Sequence, residues 1–412
     1  MSKMIYVGRP ICENGRYIIP FKLPQELYPY FREHSFWFEC PDAGEVPGSI
    51  AAVPAVANLI PFAWVFDCVL QIETLDRSFY EAIPKIKQGY IDMLPRLSLG
   101  GKLKVGNLVD NNIEACGRPL LLFSGGVDAW CTLVRHVDER PRLVSIWGAD
   151  IRSNNVAGWS QVDSHSRAVA DSLDIAYSYV RSNLREMISY RPLENATLLK
   201  KAGYAWWHDI QHGIGLLSLT APLGYSEKSR CVYIASSNTE KDRGSYVCAS
   251  DPTIDNYFAS GSLVGVHDAY ELTRQGKIDE IVRYAAGALR QINMRVCYHV
   301  ETGRNCCRCE KCARTILEIL AAGGDPRDFG FGYSPGQFDL LMWRMKHFFR
   351  LTYPFYYHDI AEAVRARGIE LPPSARWVLS DNIDLICDNK FKRGWERFHR
   401  LGSDIYHKLL GR

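Results

Sequence analysis

The hydrophobic pattern is clearest in the middle of the chain. From Arg118 to about Gly324, short apolar runs alternate with longer stretches of helical period: LLLF then VDAWCTLVRHV, LVSIWGAD then SQVDSHSRAVADSL, IAYSYVRS, and later CVYIASS. Continuous apolar runs of this length read as strands covered on both faces, and the amphipathic stretches between them as crossover helices. The pattern therefore predicts an α/β fold with a parallel sheet and helices on both of its faces. Ligands of such sheets sit beyond the carboxyl ends of the strands, which nominates LFSGG, WGAD and ASSN.

The flanks read differently. Residues 1–108 mix short extended stretches (Met4 to Val7, Tyr17 to Pro20, Ser35 to Cys40) with one helix from Ser78 to Met93, as expected of a mixed α+β domain. LSLGGKLKVGN, Leu97 to Asn107, reads as a surface hairpin or connector. It sets the expected divisions at 1–108, 109–330 and 331–412. Past Gly330 the pattern is helical, through QFDLLMWRMKHFFRLTY and HDIAEAVRARG. The basic and aromatic side chains from Lys390 to Arg400 read as the solvated face of an amphipathic helix rather than an RNA contact.

Composition changes this picture little. A 412-residue chain that is 47% hydrophobic has ample core material, and 49 basic against 46 acidic side chains give no field that argues for nucleic acid. The amino-terminal residues lack the pattern of a signal peptide, and no run approaches the roughly 20 apolar residues that span a bilayer. The expectation is a cytoplasmic protein without a membrane partner. Thirteen cysteines in a reducing compartment point to core positions, metal ligands or catalysis rather than disulfides.

Two motifs carry chemistry. In LLLFSGGVDAWCTLV (Leu120 to Val134), Gly125 and Gly126 permit a turn closed to other residues, and the next helix aims its first N–H groups at whatever the turn holds. Successive amides and the helix dipole favour an anion, phosphate above all. The spacing is neither that of a Walker loop nor of a dinucleotide fingerprint. It closely resembles the SGGxDS signature of the PP-loop ATP pyrophosphatases, the adenine nucleotide alpha hydrolase superfamily. Ser124, Gly125, Gly126 and Asp128 match that signature, with Phe123 and Val127 beside them. Ala129 stands where the family has serine, and a lost hydroxyl contact is worth about 0.5–3 kcal/mol.

The resemblance implies a Rossmann-like sheet that binds Mg-ATP, adenylates a carboxyl or carbonyl-type oxygen and releases pyrophosphate. It implies adenosine contacts near Gly148 and Asp150, and a further contact at Ser237 beyond CVYI. Arg274 and Lys277 resemble the basic pair that neutralises departing pyrophosphate, with Asp128 as the third catalytic position. Either cation is equally readable as a solvated helix residue.

The second motif is CYHVETGRNCCRCEKC. Cys297, Cys306, Cys309 and Cys312 follow C-x8-C-x2-C-x2-C, a spacing that closes a tetrahedral thiolate site for structural zinc. Cys307 is an alternative to Cys306, and an iron–sulfur cluster stays open. The same spacing after a PP-loop occurs in the 7-cyano-7-deazaguanine synthase family, so the resemblance covers roughly Pro119 to Leu320, about half the chain. It implies a deazapurine or other small acid as substrate. Longer relatives of this kind occur in anti-phage operons and attach a deazapurine to a protein, which makes a protein acceptor and a homodimer admissible partners. A sulfur nucleophile relayed by Cys131 or Cys307, giving a thioamide or thionucleobase, and a non-catalytic nucleotide-binding subunit are the alternatives.

Three further features were weighed. His208 and His212 in HDIQH lack the glutamate of a zinc-peptidase motif, and Trp207 or His208 could stack a flat heterocycle. Cys131 lies one turn beyond Asp128, where a helix start lowers a thiol pKa.

Overall fold

A computed structural model describes residues 3–288, 291–297, 304–351 and 353–397. Contacts divide the chain into two units, Met1–Ser124 with Thr132–Glu271, and Gly125–Cys131 with Leu272–Arg412.

The first unit is built on one sheet. Its strands are β1 (Met4–Val7), β2 (Ile11–Glu13), β3 (Arg16–Lys22), β4 (Ser35–Glu39), β5 (Val69–Asp76), β6 (Lys102–Val109), β7 (Leu120–Leu122), β8 (Arg142–Trp147), β9 (Tyr177–Ser182), β10 (Cys231–Ala235), β11 (Ala259–Ser260) and β12 (Leu263–Asp268). They lie in the order β11-β12-β10-β7-β8-β9-β4-β3-β1-β5-β6, with β2 on β3. From β12 to β9 every pairing is parallel, as the alternating pattern required. The amino-terminal strands join this sheet through an antiparallel pairing of β4 with β9, Phe38 opposite Ser182 and Glu39 opposite Arg181. Strands from both sides of Val109 thus share one sheet.

The stretch read as a hairpin or connector contains strand β6 instead, parallel to β5 from Val69↔Lys102 to Asp76↔Val109. Its K-L-K-V alternation keeps Leu103 and Val105 half-buried and Lys102 and Lys104 exposed, and edge lysines discourage further strand pairing. The predicted helix at Ser78 starts at Arg77 and ends at Met93, capped by Asp76, whose buried carboxylate accepts from Phe79 N at 2.9 Å. Asn111 Nδ2 and Gly261 N donate to the same carboxylate, at 2.8 and 2.9 Å. The centre of the core is the helix Val53–Val65, every residue of which is buried. It packs on β5, β6 and the His212–Ser218 helix.

The second unit has no strand among its described residues. Its main helices are Arg274–Ala288, Glu310–Ala321, Pro335–His347 and Pro354–Arg367, and residues 390–397 are helical as well. The last three residues of the Lys390 to Arg400 stretch lie outside the described residues. Glu310–Ala321 packs on Arg274–Ala288, Pro335–His347 and Pro354–Arg367, and buries Arg314, Thr315 and Glu318 among its apolar side chains. No helix of the described residues is long and apolar enough to cross a membrane.

Candidate functional site

In the first unit, the parallel strands run β9-β8-β7-β10-β12, so the order reverses between β7 and β10. Such a reversal opens a crevice at the strand ends. Phe123 and Ser124 leave β7 there, Gly148 and Asp150 follow β8, and Ser237 follows β10. Phe123 is buried, and its carbonyl accepts from Ser145 Oγ at 2.7 Å, while Ser124, Asp150 and Ser237 are exposed. Gly148 has a local reason to be glycine. Its φ is 121°, and a Cβ there would lie 1.9 Å from the Ser182 carbonyl oxygen.

Near these strand ends the Trp206–Gln211 segment is a π-helix, a form often found at functional positions. The Arg185 guanidinium, donating to Ala149 O at 2.9 Å, lies 4.4 Å from the Trp207 ring centre and 5.3 Å from that of Tyr190. His208 is exposed and bonds Asp209 at 2.6 Å, whereas burial pushes His212 down to about 4. HDIQH therefore supplies one solvent-facing imidazole and one enclosed neutral one.

The glycine turn continues into the second unit. Gly125 has a φ of 78°, which glycine adopts without strain, and its carbonyl accepts from Arg295 N at 2.7 Å. Asp128 follows in the first turn of the Val127–His136 helix. Lys277 Nζ donates to Asp128 Oδ1 at 3.1 Å, and Arg274 Nη1 stands 3.8 Å from Asp128 Oδ2. The three residues nominated as catalytic are thus brought together.

The reading of Arg274 and Lys277 as solvated helix residues does not hold, since their side chains are 10% and 1% exposed. Both sit in the first turn of Arg274–Ala288, and what holds them was not legible in the sequence. Arg274 Nε donates to Glu318 at 3.0 Å and its Nη2 to Thr315 Oγ1 at 3.1 Å. Behind Glu318, Arg314 lies 3.5 Å from Glu310 and 4.1 Å from the Tyr356 ring centre. Burial alone would raise the Asp128 carboxyl, but Lys277 and then Arg274 and Lys311 outweigh it and hold it below the ordinary range. Burial dominates at Glu318 and raises it. Four cations (Lys277, Arg274, Arg314, Lys311) stand against three carboxylates (Asp128, Glu318, Glu310), an excess that suits an anionic guest.

The four nominated cysteines also meet. The Sγ atoms of Cys297, Cys306, Cys309 and Cys312 all lie within 4.8 Å of one another, with Cys297 to Cys309 at 3.9 Å and Cys306 to Cys312 at 4.0 Å. A tetrahedral ion with Zn–S bonds of about 2.3 Å needs sulfurs about 3.8 Å apart, so the cluster fits one metal ion closely. Cys307 is excluded from the set: its backbone is left-handed, φ 49°, and its thiol turns to Asn305 O. Asn305 is a further residue that the spacing did not reveal. It accepts from Val296 N at 3.0 Å and donates to Met294 O and Gly330 O, stapling the segment on which Cys297 stands. Among the described residues no other group of three or more His, Cys, Asp and Glu side chains is placed to hold an ion.

No protein-family model, no curated protein and no solved structure matches this chain, so its function is argued from these residues.

Proposed function

We propose that the protein is an ATP-dependent ligase. A carboxylate or carbonyl-type oxygen takes the adenylyl group of Mg-ATP, pyrophosphate leaves, and a nitrogen nucleophile then displaces AMP to form a C–N bond. The observation that carries this reading is the constellation of Asp128, in the helix turn after the glycines, with the two buried cations Lys277 and Arg274. The SGGVDA signature and the strand ends that carry Ser124, Gly148, Asp150 and Ser237 support the same assignment.

Each side chain has a distinct role here. The turn at Gly125 and Gly126 would bring backbone N–H groups close to phosphate oxygens. Lys277 and Arg274 offset the charge that develops on pyrophosphate, and such fixed cations need no reorganisation as it forms. Asp128 keeps the Lys277 ammonium in place, and Glu318 and Thr315 fix the plane of the Arg274 guanidinium. The four cysteines are assigned to structural zinc, which would fasten the start of Glu310–Ala321 and so Glu318. The preferred acid is a small heterocycle of the deazapurine kind, and a protein amine is admitted as acceptor.

Nitrogen is favoured over sulfur because Cys131 and Cys307 are 0% and 6% exposed, too enclosed to relay a sulfur atom. Zinc-loaded protein given labelled Mg-ATP, a panel of heterocyclic carboxylates and ammonia or a peptide amine should yield AMP and pyrophosphate with one acid. Product analysis showing ADP alone, or no turnover with any acid, refutes the reading.

A further inference from the structure

A second feature of the helical unit has no role in the chemistry above. A cavity of about 610 Å³ is walled by Trp343, Phe348, Phe349 and Trp395, with Arg344 and Arg350 at its polar side and Cys309, Glu310 and Glu396 completing the lining. Its aromatic rings are unusually open for a folded protein: Trp343 is 50% and Trp395 36% exposed, and Phe391 beside them 59%. Exposed apolar area of this kind marks a binding site far more often than a neutral surface. The rings converge instead of forming a track. Trp343, Trp395 and Phe391 stand 5.0, 5.1 and 5.9 Å from the one ring of Phe348. The rings thus form one cluster round Phe348, whereas a nucleic-acid strand needs successive platforms.

The two arginines differ. Arg350 is committed to Asp388 and Glu396, at 3.2 and 3.3 Å. Arg344 makes no ion pair among the described residues, and its guanidinium is held flat, 4.8 Å from the Phe349 ring centre. A positioned and uncommitted guanidinium is a receptor for a carboxylate or phosphate. The carboxylates of Glu310 and Glu396 also line the cavity, Glu310 paired with Tyr357 and Arg314 and Glu396 with Arg350. Volume, aromatic walls and one fixed cation together describe an open groove of a size for one small molecule.

We propose that this cavity binds a flat nitrogen heterocycle carrying an anionic group, stacked on Trp343 and Trp395 and anchored by Arg344. The pocket deepens the ligase reading, because such a molecule has the chemistry of the acid substrate. Binding itself requires no turnover. Calorimetric titration of the zinc-loaded full chain, without ATP, would use three probes: a carboxylated 7-deazaguanine, guanosine monophosphate and neutral guanosine. One of the two anionic probes is expected to bind, and which one tells a free acid from a nucleotide. Arg344→Ala should weaken that probe about 10-fold while leaving neutral guanosine unchanged, and Trp343→Ala should weaken all that bind by about 10-fold. Zinc content and circular dichroism check that both variants fold, and Arg344→Lys should recover part of the loss. Binding that neither variant alters, or no binding of either anion, overturns the pocket. So does a short single-stranded RNA that binds about 100-fold tighter than its mononucleotide with steep salt dependence. If AMP never forms but the probe binds, only the ligase reading falls.

Discussion

The central helices of the two units bury different kinds of side chain. In the first, the Val53–Val65 helix is enclosed on every side, and its one polar side chain, Asn58, is satisfied by Gln211 Nε2 at 2.9 Å and Pro54 O at 2.9 Å. In the second, the helix of corresponding centrality, Glu310–Ala321, encloses Arg314 and Glu318 and is approached by Arg274 and Lys277. Apolar burial stabilises by itself, at about 25 cal/mol per Å², whereas buried charge persists only where partners repay its desolvation. The first unit has the economy of a scaffold. The central helix of the second encloses the charged Arg314 and Glu318, and Arg274 and Lys277 are buried beside Asp128.

The sharpest way to break this contrast is to remove the metal. Structural zinc contributes on the order of 10–16 kcal/mol in small zinc modules, more than a typical domain's whole stability. Chelation, or Cys312→Ser, should abolish amide-exchange protection in Glu310–Ala321 and leave that of β7, β8 and β10 in place. Protection that survives in Glu310–Ala321, or that is lost equally in the strands, would show that the units do not differ in what holds them.

Next in size is the cation pair. Lys277→Met removes a fixed donor at the site of developing charge, so pyrophosphate release should fall about 10²–10³-fold. Asp128 is 30% exposed and keeps Arg274 nearby, so the unfolding midpoint should fall only slightly. A large stability loss with little change in turnover per folded molecule would make Lys277 a structural residue, like the buried ions of a scaffold.

The first unit has titrating groups too, but they answer to folding alone. Burial holds His212 at about 4 against an ordinary 6.5. Its folded value is depressed, so its stability is fully present above pH 6.5 and is lost as the pH falls toward 4. The loss should reach up to about 3 kcal/mol between pH 7 and pH 4. His136 has the opposite sign. Burial pulls it down, but hydrogen bonds to Asp268 and Glu139, at 3.1 and 2.7 Å, win and raise it. Its contribution is complete below pH 6.5 and fades as pH rises through the raised value. Urea unfolding of His212→Asn should show a flattened acid limb, while His136→Gln should flatten the alkaline side. An unchanged acid limb in His212→Asn defeats the assignment.

Legibility followed the same division. β7 to β10 could be read because parallel strands covered on both faces leave uninterrupted apolar runs, and the four cysteines because ligand spacing is nearly local. The sharing of one sheet by β4 and β9 could not, since two residue pairs 144 and 142 positions apart make it: Phe38 with Ser182 and Glu39 with Arg181. Val53–Val65 is not legible in the sequence because a helix buried all round has no polar face to set a period. Gly148 was read as a ligand contact, although Ser182 already demands glycine there. Glu318 was not legible as a site residue, because a buried charge announces itself only through a partner distant in sequence, here Arg274.

The smallest expected effect concerns the one departure from the loop signature. Ala129 is 4% exposed, so its methyl group lies in an enclosed place one residue beyond Asp128 and within the first turn of the Val127–His136 helix. A serine hydroxyl at that position would meet either a phosphate oxygen or apolar neighbours, and the two cases have opposite signs. A hydrogen bond to phosphate is worth about 0.5–1.5 kcal/mol, so Ala129→Ser should tighten ATP about 2- to 10-fold in equilibrium binding while barely moving the unfolding midpoint. An unpartnered buried hydroxyl instead costs about 1–3 kcal/mol of stability and leaves ATP affinity where it was. The first outcome makes Ala129 a tolerated loss in a working nucleotide loop. The second makes it a packing residue, and the burden of binding the phosphates then falls on the glycine amides with Lys277 and Arg274.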